Sequence, residues 1–206
     1  MTKDKIYLSA SRIKTVQQCS WTYWCKYILK LPDKSNDGAS KGWICHLIFE
    51  LLGRKDRSHT LNTIRSDGSI WGIPAIGRLV LYHAKRLGVN TDEHLGEIDR
   101  MILNGLNYDF GGTHKSGLKE EFSEKDFHIS VDEDGLRYNI RGFIDKLFLY
   151  EDKKAIIRDF KTSKQKFKGK EITDNMQDLM YCLAVRKMFP EYKGVSEFLF
   201  LKFELE

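Results

Sequence analysis

The chain has 206 residues, of which 41% are hydrophobic and 31% are charged, and its formal net charge is +5. This composition excludes a largely disordered chain, and the length suits one domain with a buried core. No apolar run reaches the roughly 20 residues that span a bilayer, so we expect a cytoplasmic protein with no membrane segment.

The amino-terminal half predicts mostly helices after a short extended start at residues 6–8. The segment SASRIKTVQQCSWTYWCKYILKL offers Ser9 and Ser11 as N-caps and apolar residues at helical spacing, which indicates one helix or two short ones. The composition of PDKSNDGASKG favours a loop. Further helices are predicted at WICHLIFELL, at residues 74–87 and at residues 91–106.

The carboxy-terminal half changes to a period of two, which is typical of strands. Three strands joined by the turns DEDG and EDKK predict an antiparallel meander. A helix then follows over DNMQDLMYCLAVRKMFP, capped by Asp174 and ended by Pro190, and VSEFLFLKFEL predicts a last strand. The order of elements indicates an α/β fold with a central mixed β-sheet flanked by helices, and an amino-terminal or inserted helical lobe.

The stretch IIRDFKTSK places Asp159 and Lys161 on the same face of one strand. If the preceding hairpin has a three-residue loop, Tyr150 pairs with Lys154 and Asp145 falls opposite Asp159. Facing carboxylates repel, so a divalent cation between them is the simplest explanation, and carboxylate oxygens suit Mg²⁺ or Mn²⁺. Such an ion activates water beside a lysine, which points to phosphodiester hydrolysis.

These residues carry a resemblance to a known family. Asp145, thirteen intervening residues and then Asp159-Phe160-Lys161 resemble the PD-(D/E)XK nuclease motif. LSASRIKTVQQCSWTYWCKYI, GWICHLIFE, EEF and QDLMY are similar, in order, to blocks of the RecB-like branch, which includes CRISPR-associated and phage exonucleases. The resemblance implies one domain over residues 1–206, with a restriction-endonuclease-like core at residues 119–206 and a helical insertion near residues 54–118.

The resemblance also implies the roles of individual residues. Asp145 and Asp159 bind the metal together with the carbonyl of Phe160, Lys161 is the catalytic lysine, and His46 is a further metal ligand that makes Mn²⁺ at least as suitable as Mg²⁺. Candidates for indirect contacts to the metal are Glu50, Glu120 and Glu121. Gln177 and Tyr181 are expected to approach the site or the DNA.

Each of these residues has a structural alternative. The hairpin residues could form an ordinary cross-strand ion pair, His46 could be a core histidine, and Gln177 and Tyr181 could simply pack on the sheet. The lysines of KTSKQKFKGK, among them Lys164 and Lys166, could track phosphates or simply be solvated. The aromatic residues of the first helix could stack on unpaired bases, but we expect at least two of them to pack in the core. Those residues are Trp21, Tyr23, Trp24 and Tyr27.

The four cysteines bear on a second kind of cofactor. In relatives that hold an iron–sulfur cluster, one amino-terminal cysteine joins three that follow the Q-x-x-x-Y helix. Cys19 occupies the first position, but Cys182 lies within that helix and no cysteine follows it. A cluster needs four thiolate ligands within reach, so the sequence predicts no iron–sulfur cluster and four free thiols.

The resemblance therefore implies a metal-dependent DNA nuclease, and we expect an exonuclease that acts on single-stranded ends. One alternative is a structure- or sequence-selective endonuclease with the same site. Another is a non-catalytic DNA-binding module of a repair or recombination complex. The resemblance also suggests a bacteriophage enzyme with DNA as its partner.

Overall fold

The computed structural model describes residues 7–32, 37–133 and 135–203. Its helices are α1 (Ala10–Gln18), α2 (Ser20–Tyr23), α3 (Asp37–Leu52), α4 (Ser58–Asp67), α5 (Pro74–Arg86), α6 (Thr91–Asn107), α7 (Lys170–Thr173) and α8 (Met176–Met188). A π-helical turn, Trp24–Ile28, continues α2. Its strands are β1 (Tyr7–Leu8), β2 (Leu118–Glu133), β3 (Leu136–Tyr150), β4 (Lys154–Lys161) and β5 (Lys193–Phe200).

The strands form one mixed sheet. β2, β3 and β4 are the predicted antiparallel meander. β5 runs parallel to β4, and β1 runs parallel to β3. Because β2 pairs with β3 along most of its length, β1 and β4 share the other edge of β3. Helix α8 provides the crossover between the parallel strands β4 and β5, and the predicted α/β class is confirmed.

Helices cover both faces of this sheet. On one face, α3 to α6 form a buried cluster with Phe160 and Leu199 of the sheet. On the other face, α8 packs on Leu147 and Ile157, and α1 contributes half-buried residues. Alternate side chains of β4 therefore point to different layers, as the period of two requires. Strand β4 is buried on both faces, so polar residues within it are held in place by packing.

The hairpin between β3 and β4 has the predicted register. Lys146 pairs with Arg158 and Leu149 with Ala155, which leaves a three-residue loop between Tyr150 and Lys154. Lys153, the last loop residue, has a left-handed backbone with φ of 61°, which is usual in three-residue hairpins. Continuing this register by one pair beyond Lys146 sets Asp145 opposite Asp159.

The predicted loop at PDKSNDGASKG is wrong in its second half, because α3 begins at Asp37. Residues 33–36 lie outside the described part of the chain. Within the added turn, Lys41 is only 4% exposed and its ammonium donates to Glu97 of α6. This contact with a distant helix stabilises the beginning of α3. The local composition of the segment does not predict such a contact.

Other elements also differ from the prediction. The N-cap of α8 is Asn175, whose side chain accepts from two backbone amides, and not Asp174. Helix α4 was not predicted. It ends at Asp67, and the residue that caps it, Gly68, has a left-handed backbone. The last strand ends at Phe200 and does not continue through residue 203. Residues 6, 204 and 205, which were also predicted to be extended, lie outside the described residues.

The prediction that the first helix buries at least two of its aromatic residues is wrong. Trp21 is 69% exposed and Trp24 is 47% exposed, while Tyr23 and Tyr27 are half-buried. Helices α3 to α6 already cover the other face of the sheet, and α8 takes most of the face on which α1 lies. The helical run from Ser20 to Ile28 therefore keeps its two indole rings in solvent. Across the described residues, no helix combines the length and the apolar character needed to cross a membrane.

Candidate active site

A pocket of about 520 Å³ lies where α1, α3, α8 and the β3–β4 hairpin meet. Residues that are far apart in the chain converge there, because the hairpin and the two helical layers approach the same end of β4. Seven of the sequence-predicted site residues line it, namely His46, Asp145, Asp159, Phe160, Lys161, Gln177 and Tyr181. The sequence-predicted constellation is therefore one physical site.

Asp159 is the most buried carboxylate of the pocket, with 3% of its surface exposed. Its Oδ1 accepts hydrogen bonds from Gln177 Nε2 at 2.6 Å and from the Tyr181 hydroxyl at 2.7 Å. Its Oδ2 lies 2.6 Å from Lys161 Nζ, yet receives no well-aligned hydrogen bond from the described residues. Burial, and then the charge of Asp145, raise the pKa of Asp159. Oδ2 is thus a buried anionic oxygen available to a cation.

Helix α8 holds the ammonium group of Lys161. Lys161 Nζ donates to Gln177 Oε1 at 2.7 Å, and Gln177 Nε2 in turn donates to the Tyr181 hydroxyl at 2.6 Å. Burial, followed by the charge of Asp159, raises the pKa of Tyr181, so its hydroxyl stays protonated and can donate to Asp159. Gln177 and Tyr181 lie one helical turn apart and act on the same carboxylate.

Asp145 joins the hairpin to α3. Its Oδ2 accepts the backbone N–H of Phe160 at 2.7 Å, and its Oδ1 lies 3.3 Å from His46 Nδ1. Burial lowers the pKa of His46, but the hydrogen bond to Asp145 and the surrounding carboxylates outweigh it and raise that pKa to about 9. Without a bound cation, His46 is therefore an imidazolium that partly balances the carboxylates.

Glu124 belongs to the site, and the sequence analysis missed it. Glu124, His46 and Asp145 each offer a ligand atom, and these atoms lie within 4.8 Å of one another. Burial, and then the charge of Asp145, raise the pKa of Glu124 to about 7. A half-buried carboxylate with a raised pKa next to another carboxylate is typical of a functional site.

The three glutamates predicted for indirect contacts do not line the pocket, although the charge of Glu50 acts on Glu124. Glu121 pairs with Lys146, which is buried. Glu120 is exposed on β2, and Glu50 is exposed beside Arg54 at 3.8 Å. Among the described residues, the carboxylate that approaches His46 and Asp145 from β2 is Glu124.

A backbone irregularity accompanies the approach of Glu124 to His46 and Asp145. Its φ is 48°, in the left-handed region, within an otherwise extended strand. The alternation of buried residues changes phase there, since Phe122 and Phe127 pack in the same cluster although they lie five positions apart. An irregularity of this kind re-aims a side chain, and such features are common beside active sites.

A signal for Glu124 does exist in the sequence. The pairing of Glu133 with Leu136 leaves two residues in the β2–β3 turn, and the dipeptide at residues 134–135 is Asp-Gly, which favours a two-residue hairpin turn. Counting back from this turn sets Glu124 opposite Asp145. The count identifies the partner residue, although it does not predict the left-handed backbone.

Four residues in and beside the pocket fit a divalent cation. Asp145, Asp159 and Glu124 supply hard carboxylate oxygens and His46 supplies one imidazole, a donor set suited to Mg²⁺ or Mn²⁺. Burial, and then the charge of Asp145, raise the pKa values of Glu124 and Asp159, so the charged forms of these acids are costly when no cation is bound. A bound cation removes that cost, because it favours the charged form of every carboxylate around it.

The lysines that were predicted to track phosphates and the arginines that line the pocket lie in different places. Lys164 and Lys166 are exposed in the loop after β4, and the ammonium of Lys166 lies 5.0 Å from the ring centre of Phe203. Neither lysine lines the pocket, whereas Arg12 and Arg141, which were not predicted, do. The basic residues that line the pocket, besides His46, are thus Lys161 and the two arginines.

A family model of the PD-(D/E)XK nuclease superfamily matches residues 7–204. The chain belongs to the PD-(D/E)XK nuclease superfamily. This match covers nearly the whole chain and confirms the family identified from the motif. No curated protein matches the chain significantly. PD-(D/E)XK nucleases use divalent metals, and in this nuclease the group formed by His46, Glu124 and Asp145 has the composition of a metal site.

Proposed function

We propose that this PD-(D/E)XK nuclease is a RecB-like, metal-dependent deoxyribonuclease that degrades single-stranded DNA from an end. The observation that carries the proposal is the convergence of Asp145, Asp159, Lys161 and His46, from three separate elements, in one pocket. An ion pair on an exposed hairpin would not require a histidine from α3 or an amide from α8. We further propose that the chain forms one nuclease domain that acts in DNA repair or recombination.

In this proposal, Asp145, Asp159, Glu124 and His46 hold Mg²⁺ or Mn²⁺, and Phe160 adds its carbonyl. The bound ion lowers the pKa of a water molecule and neutralises charge on a phosphate oxygen. His46 binds a metal only as the neutral imidazole, so metal binding releases the proton that Asp145 otherwise stabilises. Metal affinity consequently falls as the pH is lowered.

Lys161 has the position required to stabilise the reacting phosphate. It lies 2.6 Å from Asp159 Oδ2, so its ammonium adjoins the proposed metal position, and Gln177 limits its movement. A fixed cation aimed at developing negative charge needs no reorganisation during the reaction. The pocket thus combines a carboxylate floor for a metal with a positioned cation for the phosphodiester.

The cations at the pocket support a nucleic-acid substrate. The guanidinium of Arg12 donates to the Tyr7 carbonyl at 2.9 Å, and Arg141 lies over the exposed ring of Phe143. Both arginines line the pocket beside the carboxylates, and guanidinium groups bind phosphates well. The pocket volume of about 520 Å³ is typical of sites that enclose a small ligand, which favours a strand end over a duplex.

The proposal is tested with end-labelled linear single-stranded, linear double-stranded and circular single-stranded DNA, in Mg²⁺, Mn²⁺ or EDTA. We expect cleavage of the linear single strand in either metal and none in EDTA. Cleavage of the circle instead supports the endonuclease alternative, because only an endonuclease can open a strand without ends. Binding without cleavage in either metal supports the non-catalytic alternative.

Matched variants connect the activity to the site. Asp159→Asn keeps the shape of the side chain and Lys161→Ala removes the ammonium, and each is expected to lower kcat by at least about 100-fold. Lys193→Ala is the control, because Lys193 is an exposed lysine that pairs with the opposite end of β4. Unchanged cleavage by both site variants would refute the assigned roles.

A further inference from the structure

We propose that Trp21 and Trp24 form a platform on which unpaired bases of single-stranded DNA stack as the strand approaches the active-site pocket. This inference rests on the proposed function, because it assigns a path to the substrate of that site. The aromatic platform is defined as the exposed face of the helical run from Ser20 to Ile28 that carries Trp21, Trp24 and Ile28.

The platform consists of three large apolar residues that are exposed within eight positions of the chain. Trp21 is 69% exposed, Trp24 is 47% exposed and Ile28 is 39% exposed. Trp21 and Trp24 lie three residues apart, which makes them neighbours on the helical surface, and Ile28 ends the π-helical turn that follows. Contiguous exposed apolar surface of this kind marks a binding site more often than a surface accident.

The opposite side of the same helical run connects the platform to the pocket. The ring centre of Tyr27 lies 4.9 Å from the guanidinium carbon of Arg12, and Arg12 lines the pocket. Tyr23 packs on Tyr27 with ring centres 5.2 Å apart. The helical run that carries the two tryptophans is therefore in contact with a residue of the pocket wall.

The positive charge of the segment around the platform favours a polyanion as the molecule that binds there. Residues 7–32 contain four basic residues, Arg12, Lys14, Lys26 and Lys30, and no aspartate or glutamate. Lys14 pairs with an exposed acid of another segment, Glu171, at 3.3 Å, an interaction that contributes little at the surface. A second copy of this basic chain would meet the same positive charge and be repelled.

Aromatic faces distinguish a single strand from a duplex. Duplex DNA keeps the faces of its bases stacked inside the helix, whereas a single strand exposes them to side chains. Exposed tryptophans combined with lysines and arginine are the usual elements of sequence-independent single-strand binding. The surface therefore favours unpaired DNA and does not select a sequence.

Binding in EDTA, where no cleavage occurs, isolates the platform from catalysis. Fluorescence anisotropy compares labelled oligodeoxythymidine with an abasic strand of equal length, which has the same phosphates but no bases. We expect the wild type to bind oligodeoxythymidine about tenfold or more tightly than the abasic strand. The Trp21→Ala/Trp24→Ala double variant is expected to lose this preference while it retains its affinity for the abasic strand.

The matched control is Tyr82→Ala, because Tyr82 is an exposed aromatic residue of α5, at 61% exposure, that does not line the pocket. Tyr82→Ala is expected to bind both strands like the wild type. All three proteins should unfold at the same temperature, since the removed rings are exposed. Equal affinity of the wild type for both strands, or an unchanged preference in the double variant, overturns the proposal. So does loss of a dimer in the double variant without an effect on DNA binding, which would assign the face to a second copy.

The outcomes separate this inference from the proposed function. If the protein prefers strands with bases and needs both tryptophans for this, but cleaves nothing in Mg²⁺ or Mn²⁺, the platform is supported and the nuclease proposal is refuted. If the protein cleaves DNA in the presence of metal but shows no preference for strands with bases, the nuclease proposal is supported and the platform is refuted. In an active enzyme, the double variant should raise KM for long single strands and leave kcat unchanged, because the platform binds DNA away from the reacting phosphate.

Discussion

Gln177 Oε1 accepts a hydrogen bond from Lys161 Nζ at 2.7 Å, while Nε2 of the same amide donates to Asp159. One side chain of α8 thereby fixes the relative position of the carboxylate and the ammonium of β4. The two side chains also contact each other directly, with Lys161 Nζ 2.6 Å from Asp159 Oδ2, and Gln177 adds a hydrogen bond to each of them. The predictions below test this contact and three other features of the nuclease.

Gln177→Ala is expected to lower kcat by about 10- to 100-fold because Lys161 loses its positioning contact. DNA binding should change little, since the arginines of the pocket remain. Steady-state kinetics on linear single-stranded DNA provide the measurement. Leu179→Ala, which changes an exposed residue of the same helix, is the control. An equal loss in both variants would mean that the effect comes from α8 as a whole.

Glu124→Gln is expected to weaken Mn²⁺ binding about tenfold or more, because it removes one carboxylate from the proposed site. In EDTA the same variant should be at least as stable as the wild type, since it relieves repulsion with Asp145. Isothermal titration and thermal unfolding measure the two effects. Glu120→Gln, an exposed residue of the same strand, should leave both unchanged. Unaltered Mn²⁺ affinity in Glu124→Gln would remove Glu124 from the ligand set.

The lowered pKa of Glu97 leads us to expect that the protein loses stability in acid. Burial raises its pKa, but hydrogen bonds and charges from Lys202 and Lys41 outweigh burial and lower that pKa to about 2. The unfolded chain protonates Glu97 near its ordinary value of about 4.5, so between these values the unfolded state binds more protons. The stability from this group is therefore complete above about pH 4.5 and is lost as the pH falls toward 2.

Glu97→Gln measures that contribution. At neutral pH the variant should lose about 3 kcal/mol of unfolding free energy, because buried Lys41 is left without its carboxylate. The difference from the wild type should shrink as the pH approaches 2, as followed by urea unfolding at several pH values. Glu93→Gln, at an exposed position of α6, should show little difference at any pH. If the difference in unfolding free energy between the wild type and Glu97→Gln stayed constant with pH, the lowered pKa of Glu97 would be contradicted.

Gly42→Ala tests how α3 approaches the end of β4. A Cβ atom at Gly42 would lie 2.7 Å from Thr162 Oγ1, whereas Gly96 of α6 has nothing within 4 Å. Gly42→Ala is therefore expected to displace the residue after Lys161 and to lower kcat, while Gly96→Ala should stabilise the protein by up to about 1 kcal/mol. Thr162→Ala should restore activity to the Gly42→Ala protein. Failure of this rescue would place the clash elsewhere.

The sequence by itself determined the meander, the register of the β3–β4 hairpin and hence the approach of Asp145 to Asp159 and Lys161. Short hairpin loops leave few alternatives for pairing, and the period of two then decides which side chains share a face. The amphipathic pattern after β4 likewise located α8 and its glutamine. These features follow from local chemistry, which any single sequence contains.

Only the tertiary structure decided the rest. The left-handed backbone of Glu124, the extra turn of α3 around Lys41 and the exposure of Trp21 all depend on contacts between segments far apart in the chain. The type of a residue determines whether its side chain favours burial. Whether the side chain is in fact buried depends on all the helices that can pack on the same face of the sheet. Because α8 and the α3–α6 layer occupy the two faces, the tryptophans remain in solvent, and no local pattern could have shown it.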